Sequence, residues 1–243
     1  MTQPVKEFFD QSAESYARLF KGRRSGANHC FQTRRERAQS LATGFQGSCL
    51  DCAVGSGEVA AAVLSGGSFD RATMVDISPR MLSLAKEGLA AVLPGSCEWV
   101  NADTFEFLTS SGEGCYDFAV CAGLIAHTGR AGELLKLLRK VIRPGGAVLL
   151  HSTLSDHWGT WIHRKLTATR YFRNHGYWIH YYALREIQAL AGEAGFAVER
   201  IERYCFGMPF GDKLFPGLNY RLERLTSNWT RRHGSEAILL LRG

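Results

Sequence analysis

The segment Leu50-Asp51-Cys52-Ala53-Val54-Gly55-Ser56-Gly57-Glu58 restricts the fold more than any other part of this chain. An apolar run ends in an acid and opens into a loop whose glycines let the backbone approach a ligand closely. The loop leads into a helix, whose first amide groups favour an anionic group such as a carboxylate. Strand, glycine turn and helix in that order make the first unit of a parallel sheet covered by helices. The pattern continues downstream. Strand-like runs over 48–53, 71–76, 97–101, 116–121 and 147–152 alternate with helical patterns over 58–64, 79–92, 104–108 and 131–142. Ser78-Pro79 is a helix start, with Ser as cap and Pro at the first helical position. Arg143-Pro144-Gly145-Gly146 ends a helix and turns into the next strand.

Asp76 closes the second strand in Met74-Val75-Asp76-Ile77-Ser78, where a carboxylate can accept both hydroxyls of a ribose. Asp103 follows the third in Asn101-Ala102-Asp103, placed to read an amino group such as that of adenine. With Asp51, these acids line one crevice at the carboxyl edge of the sheet. An Asp after a strand also caps the next helix, and Asp103 before Thr104-Phe105-Glu106 suits that role equally. Gly55-Ser56-Gly57-Glu58-Val59-Ala60 fits G-x-G-x-x-G/A, so an NAD(P)-dependent oxidoreductase is the rival reading of the same residues. Charge separates the two. A pyrophosphate would face Asp51, whereas the ammonium and sulfonium of S-adenosylmethionine are stabilised by a nearby acid.

The ordered set Leu50-Asp51…Gly55-Ser56-Gly57, Val75-Asp76-Ile77-Ser78-Pro79-Arg80-Met81-Leu82, Asn101-Ala102-Asp103, Tyr116-Asp117-Phe118-Ala119-Val120 and Arg143-Pro144-Gly145-Gly146 resembles the class I S-adenosylmethionine-dependent methyltransferase superfamily. The resemblance covers residues 48–153 well and the flanks by general layout. It implies an α/β, doubly wound, Rossmann-like seven-stranded sheet with its last strand antiparallel, which the strand-like runs 196–205 and 236–242 suit. It implies S-adenosylmethionine as cofactor, with Asp51, Gly55 and Gly57 around the methionine part, Asp76 at the ribose and Asp103 at the adenine end. Ala53, Ile77, Met81 and Cys121 lie in the same strand ends and loops and are read as further cofactor neighbours. Ala53 stands where the family often carries Gly, so an inactive methyltransferase-like binding module is a further alternative.

The acceptor side should follow the fourth strand, at Cys121-Ala122-Gly123-Leu124-Ile125-Ala126-His127. Ala122 and Gly123 leave room for the methyl end of the donor. His127 is the first candidate for a general base and His151, ending the fifth strand, the second. The stretch 157–182 is dense in aromatic residues; from it Tyr171, His175, Tyr177, His180 and Tyr181 are assigned to the acceptor wall, the remainder to a satellite core. Tyr16, on an amphipathic helix over 5–20, is read as a cap on the donor; a second helix is read over 31–43. Arg221 and Arg224 share a helix face and can meet an acceptor carboxylate or phosphate, pairing with Glu223 or solvent exposure being the commoner fate.

A chain of 243 residues with 45% apolar content suits one core with elaborations: a helical cap over 1–45, a cofactor core over 46–153 and substrate-side insertions over 154–183 and 206–233. Seven cysteines, mostly in apolar runs, read as buried thiols rather than a disulfide framework, and no Cys/His set has zinc spacing, so no metal is expected. The net charge of +6 is concentrated at Arg23-Arg24, Arg34-Arg35-Glu36-Arg37 and Arg231-Arg232. These are solvated helix faces or an attraction for an acidic substrate or anionic membrane surface. No nucleic-acid motif, spanning segment or apolar signal region appears, which suits a cytoplasmic protein. The reading is methyl transfer to a small molecule, with an O-methyl acceptor on an aromatic, quinone, polyketide or sugar-like natural product as first choice.

Overall fold

The computed structural model describes residues 3–21 and 25–243, without the side chains of 19–21; Arg23, Arg24 and the side chains of Leu19 and Phe20 thus lie outside the described residues. Among the described residues, seven strands form one sheet: β1 (Gln46–Asp51), β2 (Ser68–Asp76), β3 (Ser96–Asn101), β4 (Tyr116–Ala122), β5 (Ile142–Thr153), β6 (Ala197–Tyr204) and β7 (Glu236–Arg242). Their order is β3-β2-β1-β4-β5-β7-β6, and β7 runs antiparallel to both its neighbours, as expected from the sequence. Alternating side chains on each strand face opposite layers. Leu50, Val75, Ala119 and Val148 join one buried cluster with Leu134, Leu138 and Ile187 of α7 (Ala131–Val141) and α9 (Leu184–Glu193). Cys49, Met74, Phe118 and Leu149 join the other, with residues of α2 (Gly26–Ala42), α3 (Glu58–Gly66) and α4 (Pro79–Leu89).

The strand order reverses between β1 and β4, which opens a crevice at their carboxyl ends. Strong polar contacts lie at the opposite edge. Asp117 accepts hydrogen bonds from the Ser48 amide at 2.8 Å, the Ser48 hydroxyl at 2.7 Å and Arg143 Nη1 at 2.8 Å. Burial raises its pKa, but those donors outweigh it and hold the carboxyl below the usual range. Asp117 and Arg143 therefore fasten β1, β4 and β5 rather than touch the crevice. β5 begins at Ile142, earlier than the expected residue 147, and Gly146 is required there: a Cβ would meet the Asp117 carbonyl at 2.7 Å.

Two further departures arise from contacts distant in sequence. α2 starts at Gly26 instead of residue 31, because Ser25 caps it and Asp212 accepts from the Gly26 and Ala27 amides, each at 2.7 Å. Cys30 on α2 and Cys205 after β6 form a disulfide across a sequence separation of 175, which corrects the expectation that all the cysteines are thiols. Cys49, Cys52, Cys97, Cys115 and Cys121 are free. The aromatic stretch after β5 is mostly one helix, α8 (Trp158–His175), whereas the second insertion folds as α10 (Gly211–Leu214), α11 (Pro216–Leu225) and α12 (Ser227–His233). The shorter α5 (Thr104–Ser110) and α6 (Ile125–Thr128) follow β3 and β4, and α1 (Gln3–Lys21) opens the chain.

Candidate active site

At the crevice, β1 and β2 end in register, Asp51 opposite Met74, with Asp76 two residues beyond. Asp76 folds its own loop and the glycine turn together: Oδ1 accepts the Ser78 amide and Oδ2 the Gly55 amide, both at 2.9 Å. Burial raises its pKa to about 6, against the opposing pull of those amides. Asp51 is buried below the turn, accepts the Ala53 amide at 3.2 Å, and is pushed up to about 7, mainly by burial. Gly55 has φ +54 and a Cβ there would meet nothing within 4 Å, so its missing side chain leaves open space. Gly57 has a different purpose. Its φ is +87 and a Cβ would press on Leu89 Cγ at 3.1 Å and Ala85 Cα at 3.3 Å, so it lets α3 pack against α4.

A pocket of about 70 Å³ lies on this turn, walled by Ala53, Gly55, Asp76, Ile77 and Met81 from below and by Phe9 and Tyr16 of α1 from above. Its inner end is formed by Ala122, Gly123, Leu124 and His127. α1 is held in place by the Ser78 hydroxyl, which donates to Asp10 at 2.5 Å, and by an Arg80–Glu14 ion pair. Beyond His127 opens a larger cavity of about 650 Å³, reaching between α2, α8, β5, β7 and the α10–α11 segment. Tyr16, Gly123 and His127 belong to the walls of both spaces.

His127 is partly buried, and desolvation, with His180 nearby, lowers its pKa to about 4, so the ring is neutral near pH 7. Its Nδ1 lies 3.2 Å from the Tyr177 hydroxyl, which lies 2.6 Å from that of Tyr171. Phe9 packs edge-on against the ring at 4.9 Å. His151, 2% exposed, lines the larger cavity and is tied to Glu236, with Nε2 2.8 Å from Oε2. Burial and Arg34 lower its pKa to about 4. Burial would raise Glu236, but His151, Arg34 and Thr153 hold it below the usual range. An ionised Glu236 only accepts, so neutral His151 carries its proton on Nε2 and leaves Nδ1 as a buried lone pair. That atom has no hydrogen-bond partner among the described residues. Arg34 completes the group, donating from Nε to the Tyr204 hydroxyl at 3.0 Å and approaching Glu236 at 3.6 Å.

Several residues singled out in the sequence meet in these spaces and others do not. Tyr16, Ala53, Gly55, Asp76, Ile77 and Met81 gather in the smaller pocket; His151 and Tyr181 line the larger one. Asp51 and Gly57 lie outside the pocket wall, supporting the turn from beneath and behind. Asp103 caps α5, its Oδ1 accepting the Phe105 amide at 2.8 Å, and borders a separate surface groove with Arg130 and Glu133. Cys121 is fully buried in the core, because alternation along β4 turns it inward. Tyr171, His175 and Tyr177 stand behind His127, with Phe8 packed on them, and His180 abuts Gly129. Arg221 is exposed and outside the cavity wall, whereas Glu223 is buried and accepts the Phe206 and Gly207 amides at 2.6 and 3.1 Å. Sequence reasoning overlooked Phe9, Arg34, Glu223 and Glu236 as wall residues. Phe9 carried a signal in its helical spacing with Tyr16; the other three are placed by tertiary contacts alone.

The chain matches the family model of a methyltransferase domain over residues 9–201. It belongs to that family. The assignment decides the rival readings of the glycine turn for the methyl donor, since the superfamily is that of class I S-adenosylmethionine-dependent methyltransferases. Solved structures agree on the fold. A SAM-dependent methyltransferase from Thermotoga maritima, described as a possible histamine N-methyltransferase, superposes with a TM-score of 0.69 over 98% of each chain at 16% identity. The magnesium protoporphyrin IX methyltransferase of Synechocystis PCC 6803, with bound SAH, gives 0.67 over 98% of this chain and 97% of its own at 16% identity. A cyclopropane synthase from Mycobacterium tuberculosis gives 0.60 over 93% and 88% at 14% identity. Likeness at such identity speaks for the fold and not the acceptor. No curated protein matches the sequence.

The crevice suits the cofactor of this methyltransferase family chemically. Asp76 keeps free lone pairs on both oxygens after accepting its two amides, enough for ribose hydroxyls. Gly55 leaves space at the turn, and Ile77 and Met81 provide apolar contact. Phe9 and Tyr16 narrow the pocket to a volume smaller than an adenosyl donor.

Proposed function

We propose that this methyltransferase takes S-adenosylmethionine in the smaller pocket and methylates a hydroxyl of a small molecule, an aromatic, quinone, polyketide or sugar-like metabolite, held in the larger cavity. The observation that carries the reading is the shared wall of the two spaces. Tyr16, Gly123 and His127 stand where donor and acceptor would meet. When bound, the cofactor supplies an electrophilic methyl group on sulfur. Asp76 receives the ribose, Gly55 admits the backbone to the ligand, and Asp51 offsets the positive charge from beneath the turn.

Methyl transfer forms one oxygen–carbon bond and breaks one carbon–sulfur bond, and the acceptor hydroxyl must release its proton. A hydroxyl becomes strongly acidic as the new bond forms, so even a weak base suffices if it is neutral and in place. His127 meets both needs, being neutral at physiological pH and set at the junction. The competent arrangement has Nδ1–H donating to Tyr177 and Tyr177 donating to Tyr171, which leaves the Nε2 lone pair to take the proton. Phe9 and Tyr16 exclude water from above.

Calorimetry with S-adenosylmethionine, S-adenosylhomocysteine and NAD(P), followed by transfer of labelled methyl to a panel of hydroxylated aromatics, quinones, polyketides and sugars, tests this. Binding of the adenosyl ligands and methylation of a hydroxyl is the expected result. Binding of NAD(P) in their place would overturn the donor assignment; methylation confined to amines or carbon would overturn the acceptor assignment. Binding without transfer to any panel member would leave the inactive-module reading in its place.

A further inference from the structure

Among the described residues, every exposed large hydrophobic side chain except Ile201 lies in the two insertions. Trp158, Trp161, Leu166 and Phe172 are exposed on α8; Leu214, Leu218, Leu225 and Trp229 are exposed on α10 to α12. On α8, Trp158, Trp161, Lys165 and Phe172 recur at i, i+3, i+7 and i+14, a single stripe along the helix. The insertions touch each other through aromatic rings. Trp158 meets Phe206 at 5.8 Å, Phe206 meets Trp229 at 5.7 Å, and His163 meets Phe210 at 5.4 Å. Apolar surface concentrated in this way marks an interaction site.

The charges on the same elements are one-sided. Arg164, Lys165, Arg170 and Arg173 on α8 are all exposed, and that helix has no acid. Lys213, Arg221, Arg224, Arg231 and Arg232 are exposed on the second insertion. Its acids, Asp212 and Glu223, are turned inward onto the amides of Gly26, Ala27, Phe206 and Gly207. Exposed Trp, Leu and Phe interspersed with unopposed cations match the interface of a bilayer carrying anionic lipid: rings and Leu side chains enter the headgroup boundary while Lys and Arg meet phosphates. A second copy of the chain would set these cations against themselves, and a nucleic acid would leave the Leu side chains without a partner. Among the described residues no helix is long and apolar enough to cross the membrane, and the proposed contact is a peripheral one.

We propose that α8 and the α10–α12 segment form a docking face for an anionic phospholipid bilayer. The large cavity opens within that face, since His163, Phe210 and Lys213 are exposed and line its wall. Docking therefore brings the cavity mouth to the lipid, and an acceptor dissolved there enters without crossing water. The docking face stands whether or not the methyl-transfer reading holds.

Flotation of the full chain with phosphatidylcholine vesicles, with and without phosphatidylglycerol, tests the inference, with tryptophan emission recorded in parallel. The expected result is flotation with the anionic vesicles only, a blue shift of the emission, and release as salt is raised. The double variant Trp161→Asp with Leu218→Asp, and separately Arg164→Glu with Lys165→Glu, should each weaken vesicle affinity about tenfold or more. All four side chains are exposed, so melting temperature and S-adenosylmethionine affinity should stay as in the wild type. Absence of flotation, or flotation unchanged in both variants, overturns the proposal. A dimer in light scattering or a complex with RNA that the same variants abolish, without vesicle binding, overturns it in favour of that partner.

Discussion

The smaller pocket and the larger cavity adjoin at His127 and are built in opposite ways. The pocket takes its floor from the ends of adjacent strands, Ala53 after β1 and Asp76 to Met81 after β2, and its inner end from 122–127 after β4. Those segments are brought together by the sheet order itself. The cavity draws Arg34 from α2, His151 from β5, Cys205 from the end of β6, Glu223 from α11 and Glu236 from β7. Only the finished tertiary structure assembles that set. The smaller pocket thus follows from the sheet, and the larger cavity from the helices added to it.

The largest effect is expected at His127, one of the three residues that both spaces share. If His127 receives the acceptor proton, His127→Gln should lower kcat by about a hundredfold to ten-thousandfold while leaving donor affinity near wild type. Steady-state kinetics with calorimetry of S-adenosylmethionine checks it. The wild-type rate should also show no acid limb at an ordinary histidine pKa, because the native value is about 4. Above that value the ring is neutral and able to accept; below it the ring is protonated and activity falls. Unchanged turnover in the variant would leave alignment alone as the chemistry.

A second test separates the cavity from the pocket. Glu236→Gln leaves the Arg34 guanidinium, whose side chain is 11% exposed, without its counter-charge, and should cost about 3 kcal/mol of stability. Denaturant unfolding measures this, and a loss under about 1 kcal/mol would show that the Arg34–Glu236 pair is not sustained by its charge. The pH dependence has a definite sign. Glu236 is held below the usual carboxylate range, so its stabilisation is present above the unfolded value and disappears as pH falls through the depressed one.

Legibility divides along the same line. The meeting of Asp76, Gly55 and Met81 in one pocket is legible because a parallel sheet fixes where residues after its strands must go. Asp51 and Asp103 were readable as acids at strand ends, but whether such an acid faces the crevice, lies beneath a turn or caps a helix depends on one backbone rotation. Cys121 followed the wrong face of an alternating strand. The α8 helix was obscured by its exposed aromatic stripe, which resembles a buried core in sequence. By sequence Glu223 is one local partner open to Arg221 and Arg224, solvent being the other, yet tertiary folding turns it onto the amides of 206 and 207. Periodicity carries local geometry and cannot report which distant segment arrives beside it.

The smaller pocket has a pH signature of its own. If the smaller pocket takes a cationic donor, Asp51 and Asp76, raised by burial to about 7 and about 6, offset its charge only when ionised. Donor affinity should therefore rise with pH through that window and level off above it, with roughly tenfold change per pH unit where one proton is released. Calorimetry in buffers of different ionisation enthalpy counts the protons, and Asp76→Asn should remove part of the release. Affinity independent of pH across the window would remove both acids from donor binding.

The smallest effect sharpens the junction. Tyr177→Phe keeps the ring that packs near Phe8 and His127 but deletes the hydroxyl lying between Tyr171 and His127 Nδ1. His127 then loses the acceptor that keeps its proton on Nδ1, and part of the population carries it on Nε2, where no lone pair remains for the substrate. One net hydrogen bond is worth about 0.5–1.5 kcal/mol, so kcat should fall about twofold to tenfold. KM for the donor should stay constant, because Tyr177 stands behind the base and outside the donor pocket. A rise in donor KM with kcat unchanged would instead make the Tyr171–Tyr177 pair a prop for α1, acting through Phe8, and not a positioning device for the base.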